Sequence, residues 1–103
     1  MERIVLVTGG FDPLHSGHIN LLESAASYGD KLVVLLNSDE WLTRKKGRPF
    51  MPFEERAAIL NNLYDVDAVI QFNDDDDTAI ELIKRCRRVY PESEIIFCNG
   101  GDR

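Results

Sequence analysis

Three stretches of the chain are apolar at every position: residues 4–7, 32–36 and 95–98. A fourth, 68–72, is mixed. A strand with one face in water alternates apolar and polar residues. A continuous run instead predicts a strand covered on both faces, as in a parallel sheet with helices above and below. The segments between these runs carry the helical period. Ile19, Leu22 and Ala26 share one face of a helix that ends at Tyr28, Gly29 and Asp30. Phe53, Ala57, Leu60 and Leu63 form a second stripe after Pro52, which suits a first-turn position. Ile80, Ile83 and Arg87, flanked by Ala79 and Cys86, form a third that stops before Pro91. Strand, helix, strand, helix, strand, helix, strand is an α/β alternation with right-handed crossovers. Ligands in such sheets sit at the carboxyl ends of the strands. Three polar loops fall on that edge: residues 9–17, then Asn37, Ser38 and Asp39, then 99–102.

The chain of 103 residues has room for one domain, spanning 1–103, with a modest core. An apolar fraction of 44% and a charged fraction of 29% fit an ordinary globular protein. The net charge of -6 repels nucleic acid, and the basic stretches at 44–48 and 84–88 are short, so no nucleic-acid partner is expected. An acidic chain can still bind an anion where a few cations and backbone amides converge. Cys86 and Cys98 have no short spacing, which suggests neither a zinc site nor a disulfide framework. They read as small buried hydrophobes in a reducing compartment. The start, MERIVLVTGG, lacks the length of apolar run that a signal peptide needs, and no run approaches membrane-spanning length. A cytoplasmic location without a membrane partner is the expectation.

The stretch TGGFDPLHSGHINLL carries the chemistry. A strand feeds two glycines, an aromatic, an aspartate and a proline; two histidines follow around Gly17, and a helix begins. Unpaired N–H groups at a helix start, at the positive end of its dipole, make a site for polyphosphate. His15 and His18, before and on the first turn, can donate N–H bonds to phosphate oxygens and stabilise charge during phosphoryl transfer. A zinc site lacks a third and fourth ligand at suitable spacing, although Asp12 could join. The glycines match neither the P-loop pattern nor the dinucleotide G-x-G-x-x-G.

GGFDPLHSGHINLL resembles the G-x-F-D-x-x-H-x-G-H signature of the nucleotidylyltransferase superfamily. NSDEWLTRKKGRPFMPFEERAAIL is similar to the N-S-D…K-G…R-P…P-x-E-x-R segment of its glycerol-phosphate cytidylyltransferase and heptose-phosphate adenylyltransferase branches, and NGGDR to their K-G-G-D element. The resemblance implies a Rossmann-like, HUP-type fold and a reaction that joins CTP or ATP to a small phosphorylated polyol or sugar. Pyrophosphate is released, and magnesium accompanies the NTP.

By the same resemblance His15 and His18 touch the transferred phosphate and act as catalytic residues together with Lys46. Gly9, Gly10 and Phe11 offer backbone contacts to the nucleotide, and Lys45 or Lys46 holds phosphate, the sequence not deciding which. Asn99, Gly100 and Asp102 lie near the ribose or base. Asp12 and Arg56 belong to the substrate side, Asp12 orienting the loop or the acceptor. Arg56 also reads as a surface arginine on an amphipathic helix.

Two departures stand out. Position 10 is glycine where many members carry threonine. The serine- or threonine-rich helix start that binds the outer phosphates in the family has no match, so a C-terminally truncated chain is expected. Two rivals follow: a nucleotide-binding module with weak or no catalysis, and a fragment of a class I aminoacyl-tRNA synthetase. Against the second stand size, acidic charge and the lack of a K-M-S-K-S loop. The aspartates at 74–77 read as a helix N-terminus or a magnesium-binding cluster. Trp41 reads as a partly buried anchor or a lid. Residues 50–53 read as core or as a homodimer contact.

Overall fold

The computed structural model describes residues 2–71 and 80–99. In chain order the elements are β1 (Arg3–Gly9), α1 (Ser16–Ala26), β2 (Lys31–Leu36), α2 (Asp39–Lys46), α3 (Phe53–Asn61), β3 (Ala68–Gln71), α4 (Ile80–Val89) and β4 (Glu94–Asn99). The strands form one parallel sheet in the order β3-β2-β1-β4. The expected parallel sheet with flanking helices is therefore present.

The continuous apolar runs are explained by two core layers. Val5, Val7, Leu32, Val34 and Leu36 point to one face, where Leu22 and Ala25 of α1 and Leu60 of α3 cover them. The alternate residues Ile4, Leu6, Val33 and Leu35 point to the other, against Cys86 of α4. Each of these strand residues is at most 1% exposed, so neither face of the central strands meets water. Cys86 is buried and Cys98 half-buried, as small hydrophobes should be. No described helix is long and apolar enough to cross a membrane.

Three local features differ from the sequence reading. The α1 stripe is carried by Leu22 and Ala25, while Ile19 is half open to solvent. Pro52 is the N-cap of α3 rather than its first helical residue. The polar stretch after Ser38 is a helix, α2, with Ser38 Oγ accepting the Trp41 N–H at 3.1 Å and Gly47 closing it at φ 95°. Only Leu42 of α2 is buried, so no apolar stripe announces it. The aspartates at 74–77 and residues 100–103 lie outside the described residues.

Strand order places the site. From β1 the chain moves to β2 and β3 on one side, then crosses back to β4 on the other side of β1. The direction of winding thus reverses at β1, and the crevice at its carboxyl end is where an α/β sheet accepts a ligand. Thr8 of β1 stands opposite Leu35 of β2 and Asn99 of β4, so the loops after all three strands open on the same edge.

Candidate active site

The loop after β1 is folded tightly. Phe11 adopts a left-handed φ of 50°, the only non-glycine residue to do so among those described, and its ring is 1% exposed. The ring turns back toward Gly9, where a Cβ would stand 3.0 Å from Phe11 Cε2. Gly9 and Gly10 are themselves buried.

His15 is the N-cap of α1. Its Nδ1 accepts the Gly17 N–H at 3.1 Å, while its own N–H donates to Nδ1 of His18 at 3.3 Å. This is the reciprocal exchange of a capping box, with imidazoles where serine and glutamate usually stand. The two rings lie 4.0 Å apart and 32° from parallel, and Phe11 meets His18 edge-on at 5.0 Å. The N–H groups of His18 and Ile19 go to the His15 carbonyl, at 3.0 and 3.4 Å. The amides of Gly17, His18 and Ile19 are therefore paired within the chain, and the expectation that the helix start stands open for phosphate is corrected for these three. The chemistry of this helix start is therefore carried by the two imidazoles. A neutral imidazole that accepts at Nδ1 carries its proton on Nε2, and Nε2–H points away from the amide that Nδ1 holds.

Asp12 ties this loop to the connection between α2 and α3. Its Oδ2 accepts the Phe50 N–H at 2.7 Å and its Oδ1 the Met51 N–H at 2.6 Å. The Lys46 ammonium sits 2.8 Å from Oδ2 and donates to the Asp12 carbonyl at 2.7 Å. No part of the Asp12 side chain meets solvent, whereas Lys46 remains 30% exposed. Burial pushes the Asp12 carboxyl up, but the Lys46 hydrogen bond, the two N–H groups and the Lys46 charge outweigh it and hold it below its ordinary value. Lys46 Nζ also lies 4.5 Å from the centre of the Phe50 ring. Lys45 points elsewhere, its Nζ 5.1 Å from the Trp41 ring centre. Of the two lysines only Lys46 is joined to the histidine-bearing loop.

Arg56 is the largest fully buried side chain, at 0% exposure. Nε donates to the Met51 carbonyl, Nη1 to the carbonyls of Gly10 and Asn37 (all 2.9 Å), and Nη2 to Asp39 Oδ1 at 2.7 Å. It binds together the ends of β1 and β2, the start of α2 and the loop before α3. The reading of Arg56 as a surface residue is thereby corrected. Both Arg56 and Asp12 face protein atoms: Asp12 orients the loop, one of the two readings given it, and Arg56 joins the loops of the site. Asn37 and Ser38, at 5% and 6% exposure, complete this buried polar layer.

Asn99 ends β4 at the same edge, while Gly100 and Asp102 lie outside the described residues. Phe53 packs against the core, in keeping with the core reading of the segment at 50–53, while Phe50 is 69% exposed. Among the described residues no three His, Cys, Asp or Glu side chains are grouped to hold a metal ion.

Known proteins share this sequence and this fold. The chain is 46% identical over 103 residues to the bifunctional protein HldE of Koribacter versatilis, an alignment covering 98% of this chain and 20% of that protein. It is 48% identical over 88 residues to the bifunctional protein HldE of Methylobacillus flagellatus, covering 84% of this chain and 18% of that one. The chain thus spans about a fifth of the length of these curated relatives. Among solved structures, the lipopolysaccharide core biosynthesis protein from Thermoplasma volcanium has the same fold, with a TM-score of 0.70 at 24% identity over 94% of this chain and 96% of that one. The model of the cytidylyltransferase-like family matches residues 6–99, from β1 through the histidine pair to the end of β4. This chain belongs to the cytidylyltransferase-like family, whose members are built for nucleotidyl transfer.

Proposed function

We propose that this site transfers CMP or AMP from CTP or ATP to a small phosphorylated polyol or sugar. An oxygen of the acceptor's phosphate attacks the α-phosphorus, the bond from that phosphorus to the bridging oxygen breaks, and pyrophosphate leaves. The attacking oxygen is already ionised at neutral pH, so no strong general base is needed. Catalysis of this kind is positioning and charge stabilisation.

The observation that carries the reading is the paired histidines at the carboxyl edge of β1, each with Nδ1 engaged in the capping exchange at the start of α1. In this reading His15 and His18 donate to the transferred phosphate and its bridge. An ammonium has three protons, and two of those on Lys46 go to Asp12, so Lys46 is the lysine assigned to phosphate, using its third. Lys45 contacts the outer part of the nucleotide. Backbone groups of Gly9, Gly10 and Phe11 approach the nucleotide's phosphates, while Asn99, Gly100 and Asp102 lie beside ribose or base. Asp12 and Arg56 hold the loops. Magnesium, which the triphosphate would bring on its own phosphate oxygens because those of Asp12 are taken by Phe50, Met51 and Lys46, would neutralise phosphate charge there.

Phosphorus NMR of the protein with magnesium, CTP or ATP and a phosphorylated polyol or sugar tests the reading. New diphosphate resonances together with pyrophosphate support it. Nucleotide that binds without turnover would make the chain a binding module.

A further inference from the structure

Gly17 lies in the first turn of α1, exposed, in a helix that backbone propensity would rather build with alanine. Its φ is not in the left-handed region, so backbone freedom does not explain it. What occupies the space beside it is the His15 ring. A Cβ at position 17 would stand 2.8 Å from Cε1 and 3.0 Å from Nδ1 of His15, inside contact distance. The N–H of the same residue is the one that Nδ1 accepts, at 3.1 Å.

We propose that Gly17 is a positioning residue for His15: its N–H holds the imidazole at Nδ1, and its missing side chain is the seat in which the ring lies. The inference rests on the nucleotidyl-transfer reading only for its effect on rate. Fixing Nδ1 as an acceptor has two consequences. The neutral ring is held as the Nε2–H tautomer, and the N–H that it accepts polarises the ring so that Nε2–H is the stronger donor. The positive end of α1 is thus passed through the imidazole to the ligand side.

Gly17→Ala separates this role from a structural one. The atoms in the way belong to an exposed side chain, so the ring yields and the backbone stays. The variant is expected to fold as well as wild type by circular dichroism, with His15 unseated.

Nitrogen-15 NMR of the imidazoles, at a pH where both rings are neutral, reads this without any turnover. Wild type is expected to show Nδ1 unprotonated and Nε2 protonated in both histidines. In Gly17→Ala, His15 should shift toward averaged tautomers while His18 keeps its own. Unchanged His15 resonances would overturn the proposal whether or not the protein transfers nucleotides.

In the transfer assay, Gly17→Ala is expected to lower kcat roughly 10–100-fold, the scale of a displaced catalytic donor. Added to His15→Ala, it should cost nothing more. Losses that multiply, with a raised nucleotide KM in both backgrounds, would show that Gly17 makes room for ligand and would overturn the proposal. Should Gly17→Ala fail to fold, His15→Ala/Gly17→Ala, in which no ring remains to collide, is expected to fold, and its failure would also overturn it.

Discussion

The Lys46 ammonium holds Asp12 at both ends, 2.8 Å from its carboxylate and 2.7 Å from its carbonyl oxygen. One lysine at the end of α2 thereby fixes the loop that leads to the histidines, and Asp12 in turn caps two amides of the loop before α3. Asp12→Asn keeps the size of the side chain but turns an NH2 group toward a Lys46 donor or a main-chain N–H. It is expected to destabilise the fold by about 1–3 kcal/mol, the cost of leaving buried donors without acceptors. Urea denaturation measures this, and an unchanged midpoint would contradict the clamp.

The same clamp predicts an acid limb. The Asp12 carboxyl is held below its ordinary 3.8. A carboxylate lowered on folding adds stability that is fully present above its unfolded pKa and lost as pH falls through its folded one. Wild type should lose this contribution below about pH 4, whereas Asp12→Asn has none to lose. The stability gap between the two should therefore narrow on acidification. A gap independent of pH would contradict the assignment.

Arg56 is expected to be among the least replaceable residues. Arg56→Met leaves the carbonyls of Gly10, Asn37 and Met51 and the Asp39 carboxylate without their donor. The expected loss is about 3–5 kcal/mol, on the scale of leaving two or more buried acceptors without a donor. Arg56→Lys keeps the charge but not the planar fork and should recover only part of it. Thermal unfolding of the three proteins checks the order; equal stability of wild type and Arg56→Met would refute it.

Capping and catalysis separate at His15. His15→Ala removes the acceptor for the Gly17 N–H and should cost about 1 kcal/mol of stability as well as activity. His15→Asn supplies a cap oxygen but no Nε2–H, so it should restore stability and leave activity low. Activity near wild type in the asparagine variant would remove His15 from the chemistry.

How much of this was legible in the sequence depends on distance along the chain. The sheet is legible because residues 4–7 and 32–36 are apolar without a break, and both faces of those strands are covered. The family resemblance, which rested on motifs in order, is borne out by the match over residues 6–99. Helix α2 is not legible from periodicity, since Leu42 alone is buried. Its signals lie at its ends: the Ser38 cap, Asp39 and Glu40 in the first turn, three basic residues in the last and Gly47 beyond.

Within the site, the spacing of His15 and His18 reveals that they are neighbours. Their exchange of hydrogen bonds at Nδ1 stays hidden, because a capping box is read from serine and glutamate and not from two imidazoles. Arg56 is hidden for another reason. Its carbonyl partners at Gly10 and Asn37 lie 46 and 19 residues away, and no local pattern brings them together.

Pyrophosphate release tests the central claim most directly. The protein is given magnesium and CTP or ATP with a pool of phosphorylated polyols and sugars, and His18→Ala is run alongside. The account predicts release by wild type that depends on the pool. In the variant it should fall by about 2–4 kcal/mol of transition-state stabilisation, with the circular dichroism spectrum unchanged. Release that persists at wild-type rate in His18→Ala, or none from a folded wild type that binds the nucleotide, would contradict it.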